Sequence, residues 1–239
     1  MTNETGIVRV AHSDRSGTGL TEWEAMDPAA LVSGTPVQRG WFADENSETG
    51  YMAGVWDCTA FVDQAGPYGV DEFMLLLEGS VVMVMPDGVE ITVNAGEAFV
   101  IPKGLQCQWK QPGYVRKVFM IVDDPVADGP ENPSLHRVTV PEFAASGIDG
   151  AVAQTTTWFT NSTGRMSVSV TASGGEVSNA VAASAHQVLH VLDGSLALKN
   201  GATSERFEAG ETAYVSAGTE LSWETSAGTR LLEASYVPA

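Results

Sequence analysis

Residues 72–81 read EFMLLLEGSV, and residues 187–196 read QVLHVLDGSL. In both, an apolar run ends on an acid, a glycine and a small residue. Working outward, the resemblance between the two segments extends in both directions. Upstream stand WFADENSETGYMAGVW from Trp41 and WFTNSTGRMSVSV from Trp158. Each starts with Trp-Phe, passes through a polar turn and continues into an alternating strand. Downstream, GEAFVIPKG (96–104) matches GETAYVSAG (210–218), and Trp109 and Trp223 follow the last glycine of each at the same interval. Four matches in one order indicate an internal repeat of a single structural unit.

The unit reads as β-structure. Segments 51–62, 72–85, 88–93, 97–101 and 114–122 are rich in Val, Ile, Met and aromatics, with Gly, Pro, Asn and Asp between them. Alternation is visible in Val55, Asp57 and Thr59 against Trp56 and Cys58. Pro86-Asp87-Gly88 is a hairpin turn, and Asn200-Gly201 is its stronger counterpart. Helical periodicity is confined to short turns near 27–32 and 141–146. The acidic, proline-rich stretch 123–136 separates the copies. The expected fold is all-β, a sandwich or barrel present twice through an internal duplication. The expected organisation is an N-terminal leader or arm at 1–35, a first domain at 36–123, a linker at 124–149 and a second domain at 150–239.

Composition narrows the function classes. The chain has 239 residues, is 44% hydrophobic, and carries 30 acidic against 12 basic side chains, a net charge of −18. Such a surface repels phosphate backbones and anionic lipid, so neither nucleic acid nor membrane is an expected partner. The polar N-terminus lacks a signal peptide's apolar core, and no apolar run reaches the roughly 20 residues of a membrane span. With only Cys58 and Cys107, the expectation is a cytoplasmic protein with free thiols.

The pattern E-x(5)-E-G at 72–79, then G-E-x-F-x-x-P-x-G at 96–104, then Trp109, resembles the cupin superfamily. The first copy is similar to the subfamily of (S)-ureidoglycine aminohydrolase and the ethanolamine-utilisation cupin. The resemblance implies a small jelly-roll barrel and, in typical members, a metal held by two His and a Glu in one motif and a third His in the next. Carried onto this chain, those positions are Gly66, Tyr68, Glu72 and Cys107 in the first copy, and Val181, Ala183, Gln187 and Leu221 in the second. A transition metal usually needs three or more protein ligands, so no cofactor is expected; a divalent metal at Glu72 and Cys107 is the minority alternative. The resemblance also implies pairing of barrels through outer sheets, as a pseudo-dimer within the chain, and leaves a homodimer open.

His186 and His190 lie on a predicted strand. At about 3.3 Å per residue they stand roughly 13 Å apart, and their parity opposes that of Gln187, so both face away from the cup. His12 and His136 receive no role. The candidate site is the first cup. Glu72 and Tyr68 are the candidate catalytic pair, as acid or base and as hydrogen-bond donor to an oxyanion. Cys107, Trp109, Trp56 and Lys117 are candidate ligand-binding residues. Each also has a structural reading: Glu72 as a satisfied buried carboxylate, the tryptophans as core, Cys107 as a small hydrophobe, Lys117 as a solvated strand-end charge. Two function classes follow. One is a metal-independent acid–base enzyme acting on a small polar amine or amino-acid-derived metabolite. The other is a non-catalytic ligand-binding or scaffold protein. A metal-dependent aminohydrolase-like enzyme is the further alternative. An organised pocket near Glu72 favours the enzyme; a barrel filled with Met and Leu favours the scaffold.

Overall fold

The alternating and apolar segments do form strands. A computed structural model describes residues 6–10, 19–124, 129–139 and 153–238, and these are all-β apart from a 3-10 turn at Pro28–Ala30. That turn lies in the predicted 27–32 segment and is capped by Asp27, whose carboxylate accepts from the Ala29 amide at 2.9 Å. The predicted turn at 141–146 lies outside the described residues, as does His12.

The chain divides into two compact units, one of Ser13–Thr139 and one of Met1–His12 with Val140–Ala239. In the first, one sheet runs His136–Val138, Ala98–Ile101, Asp71–Glu78, Val115–Val122, Tyr51–Cys58, Gln38–Asn46 and Thr21–Glu22. The facing sheet runs Glu90–Asn94, Ser80–Val84, Gln106–Gln111, Phe61–Asp63 and Leu31–Gly34, with Gly66–Pro67 also on Gln106–Gln111. In the second unit, one sheet runs Ile7–Val10, Thr212–Val215, His186–Asp193, Thr229–Tyr236, Met166–Ser173 and Gln154–Thr160. Its companion runs Val181–Ala182, Glu220–Thr225, Ser195–Asn200 and Thr203–Glu208. The repeated sequence motifs occupy matching strands. Segments read as arm and linker supply the end strands Ile7–Val10 and His136–Val138, which pair along edges otherwise open to other chains.

Two segments read as continuous strands, 51–62 and 72–85, each break once and change sheet. The second breaks at Gly79, whose φ is +79°. A Cβ there would lie 2.0 Å from the Tyr114 carbonyl oxygen. Gly194, at the same point of the repeat, has φ +74°. The acid-glycine-small motif therefore marks where the chain leaves one sheet for the other, a turn that only glycine makes without strain. Strands Gln38–Asn46 and Gln106–Gln111 lie outside the segments read as strands, because their polar residues mask the alternation.

Each unit has its own core. In the first, Trp56, Met74, Leu76, Val81, Met83, Phe99, Trp109 and Phe119 pack between the sheets. In the second, Leu189, Val191, Leu196, Leu198, Phe207 and Leu231 do so. The expected outward polar side of Tyr51–Cys58 is not polar in effect. Asp57 is buried, held by Arg39 at 3.0 and 2.7 Å and by the Tyr114 hydroxyl at 2.9 Å. Both thiols are free and buried. No helix among the described residues is long and apolar enough to cross a membrane.

Candidate functional site

On strand Asp71–Glu78, residues alternate between faces, so Glu72, Met74 and Leu76 point together into the first barrel. On the neighbouring strand Val115–Val122, Lys117 stands opposite both Leu76 and Trp56. The facing sheet contributes Trp109 from Gln106–Gln111. Tyr68 follows the short strand Gly66–Pro67, and two backbone hydrogen bonds pin its loop: its amide donates to Leu105 at 2.9 Å and its carbonyl accepts from Gly104 at 2.7 Å.

These elements converge on one buried ion pair. The Lys117 ammonium donates to Glu72 Oε1 at 2.8 Å and approaches Met74 Sδ at 3.2 Å. Glu72 is 3% exposed and Lys117 7%. The other carboxylate oxygen, Oε2, accepts from the Tyr68 hydroxyl. The ammonium also lies 4.7 Å from the Trp56 ring centre and 5.0 Å from that of Trp109, within cation–π range of both. The two rings meet edge to face at 6.5 Å. Lys117 is thus not the solvated strand-end charge of the alternative reading. It is an internal cation boxed by a carboxylate, a thioether and two indoles.

A cavity of about 370 Å³ opens beside the pair, lined by Trp56, Phe61, Asp63, Tyr68, Trp109 and Lys117, with Met26, Asp27 and Leu31 among its further walls. A smaller one, about 140 Å³, lies against Glu72, Lys117, Trp56 and Phe119. Burial, reinforced by Glu72, holds the Tyr68 phenol well above its usual range, so it stays protonated. Asp63 escaped the sequence reading. It ends strand Phe61–Asp63, accepts from the Trp109 amide at 2.7 Å, and is pushed up by burial to about 6. Its only sequence signal was an acid closing an apolar strand. The Trp109 indole donates to Gln111 at 3.1 Å, and the Trp56 indole to Gln38 at 3.1 Å, which fixes both rings.

The candidates therefore separate. Tyr68, Lys117, Trp56 and Trp109 share the larger cavity; Glu72 stands behind it with both oxygens engaged. Cys107 lines a third cavity with Gly66, Met85 and Gln108, though it stays close enough to Tyr68 and Asp63 to feel their charges. Burial, with Asp63 nearby, pushes its thiol up to about 11, so it is a protonated, unreactive group at neutral pH. The metal positions implied by the resemblance do not fit a metal. Gly66 has no side-chain donor, the Tyr68 hydroxyl is spent on Glu72, and each Glu72 oxygen already accepts from a protein donor. Among the described residues no cluster of three or more His, Cys, Asp or Glu is placed to hold one.

In the second barrel the four carried-over positions are neutral, but an acid stands beside them. Gln187 points inward as predicted, but it donates at 2.8 Å to Glu233 from strand Thr229–Tyr236. Reading only the four motif positions missed this acid. His186 and His190 bond Tyr214 at 2.7 Å and Thr212 at 2.9 Å, while Leu189 and Val191 fill the core, so the histidines do face away from it.

Comparison with known proteins agrees with this architecture. The sequence of residues 45–119 matches the EutQ-like cupin domain family. No curated protein matches the chain. Among solved structures, a protein of unknown function of the DUF861 family from Pseudomonas syringae pv. tomato is similar, with a TM-score of 0.69 and 18% identity over 96% of this chain and 98% of that one. A putative glyoxylate-induced protein from Pseudomonas aeruginosa has a TM-score of 0.60 and 15% identity over 99% and 91%. A cupin 2 conserved barrel domain protein from Leptotrichia buccalis has a TM-score of 0.61 and 11% identity over 91% and 98%. At these identities the likeness is one of fold. Residues 45–119 therefore match the EutQ-like cupin domain family, and the chain shares its fold with these solved structures over nearly its whole length.

Proposed function

We propose that the first barrel binds a small polar metabolite in its 370 Å³ cavity and carries out proton transfer on it without a metal ion. The observation that carries this reading is Lys117, a fixed ammonium held at the cavity wall by Glu72. A preorganised positive charge in a dry site stabilises a developing oxyanion strongly, because no solvent has to reorganise around it. In this reading Glu72 is a positioning residue rather than the base, since Lys117 and Tyr68 occupy its two oxygens. Asp63, pushed up to about 6, is the group in the cavity suited to take a proton near neutral pH. Trp56 and Trp109 wall the substrate. The resemblance to the aminohydrolase subfamily points to an amine or amino-acid derivative as substrate, and the free thiols to a cytoplasmic setting. The aminohydrolase reaction itself is not adopted, because the metal positions do not fit.

A second reading, a non-catalytic binding protein, draws support from the fully satisfied Glu72. The two are separated by screening small amines, amino acids and their carbonyl derivatives for thermal stabilisation, then following solvent deuterium exchange into each hit by NMR. Catalysis predicts exchange or turnover that Asp63→Asn removes while binding persists. Hits that bind but never exchange or turn over would leave only the binding function.

A further inference from the structure

The chain has four lysines, Lys103, Lys110, Lys117 and Lys199. Three pair with acids in or near solvent: Lys103 with Asp123, Lys110 with Glu90 and Lys199 with Glu224, their side chains 23%, 44% and 44% exposed. Lys117 differs. It is buried, yet it lines both the 370 Å³ and the 140 Å³ cavities of the first unit. Lysines that act as nucleophiles sit in such dry pockets, where water neither solvates the ammonium nor shields the nitrogen.

The surroundings of Lys117 suit bond formation to a carbonyl carbon. Glu72 Oε1 lies 2.8 Å from Nζ, so one proton has an existing hydrogen bond along which to leave. In a site screened from water that transfer discharges both partners, which offsets its cost. The ring centres of Trp56 and Trp109 stand 4.7 and 5.0 Å from Nζ. A protonated imine carries the same single charge on the same nitrogen, so the carboxylate and the two rings that hold the ammonium also hold the product. Asp63 lines the same cavity, and burial raises it to about 6. It therefore exchanges protons with a carbonyl oxygen readily near neutral pH.

The lining also sets the substrate class. Lys117 is the only cation among the residues that line the larger cavity, and Asp27 and Asp63 are its acids. Once Lys117 is bonded to the substrate, no cation is left to receive a carboxylate, and two acids repel it. An oxo acid is therefore disfavoured.

We propose that Lys117 is a nucleophile that forms an imine with a small aldehyde or ketone lacking a carboxylate. The proposal rests on the reading of this cavity as the substrate site and adds a covalent step to it. Glu72 takes one Nζ proton, and the freed lone pair forms the C–N bond as the carbonyl π pair moves onto oxygen. Asp63 protonates that oxygen, then shuttles a second Nζ proton to it. The C–O bond breaks, water leaves, and the nitrogen lone pair closes the C=N bond. The net change is ammonium plus carbonyl to iminium plus water. Both hydrogens of the water come from the ammonium, and Glu72 and Asp63 end as they began.

The test incubates the full chain with butanone in heavy-oxygen water and, separately, in deuterium oxide. Mass spectrometry follows the label entering the ketone. Borohydride then reduces any imine to a sec-butyl amine, which peptide mapping locates. The expected result is oxygen exchange at least tenfold faster than with an equal concentration of n-butylamine, and sec-butyl on Lys117 at least tenfold above the other three lysines. Pyruvate should label Lys117 at least tenfold less. Lys117→Met combined with Glu72→Gln, which strands no charge and should keep a parent-like melting curve, should lose both signals. Oxygen exchange no faster than with n-butylamine, label spread evenly over the four lysines, or signals that persist in the double variant overturn the proposal. Equal labelling by pyruvate overturns the substrate class. Deuterium entering butanone without oxygen exchange sinks the imine and leaves the proton-transfer reading standing. Oxygen exchange without deuterium entry supports the imine and removes proton transfer at carbon.

Discussion

Replacing Lys117 with Met removes the ammonium and leaves Glu72 buried with only the Tyr68 hydroxyl. Methionine fills most of the lysine's volume and still packs on Trp56 and Trp109, so little of the effect is cavity formation. The cost is that of stranding one partner of a buried pair, about 3–5 kcal/mol. An independent bound agrees. The stranded acid escapes by taking up a proton, and protonating an ordinary glutamate at pH 7 costs about 3.7 kcal/mol, falling to about 1 kcal/mol at pH 5. Lys117→Met should therefore shift the urea midpoint of the first unit downward by roughly 1.5–2 M at pH 7, for a slope near 2 kcal/mol/M. At pH 5 the deficit should shrink to about 0.5 M. Adding Glu72→Gln should restore stability to within about 1 kcal/mol of the parent, since no charge is left stranded. Equilibrium unfolding followed by tryptophan fluorescence, at both pH values, measures all three. A single-variant deficit under about 1 kcal/mol, or one that does not narrow at pH 5, would refute the buried-pair reasoning.

Further outcomes follow from the same geometry. Gly79→Ala forces a side chain onto a positive φ and into the Tyr114 carbonyl; it should cost at least about 2 kcal/mol, measured by the same unfolding curves. Asp63 is raised to about 6 in the folded state against about 3.9 when unfolded. Its contribution to stability is thus fully present below about pH 4 and is lost as pH rises through 6, so Asp63→Asn should flatten the stability profile across that window. Turnover dependent on Asp63 as base should rise through about pH 6 and plateau above it, which a pH–rate profile of the parent protein checks. Elemental analysis of purified protein should find well under one equivalent of Mn, Fe, Ni or Zn, and a chelator should leave any turnover unchanged.

The repeat, the all-β class and the inward set Glu72, Gln187, Trp109 and Trp223 were legible in the amino-acid sequence, because strand alternation and glycine turns are local. A residue's face follows from its parity, and a sheet change announces itself as a glycine that must take positive φ, as at Gly79 and Gly194. The parity argument also turned His186 and His190 away from the core correctly. What tertiary structure alone decided was which charges meet. Lys117 and Glu72 are distant in sequence and touch only because their two strands pair in one register; the same holds for Gln187 and Glu233. Asp63 became a candidate base through its cavity, and Cys107, read as a ligand-binding residue, lines a different one. A side chain's charge is written in the sequence, but its partner, its burial and hence its chemistry depend on strand register and sheet closure, which are non-local.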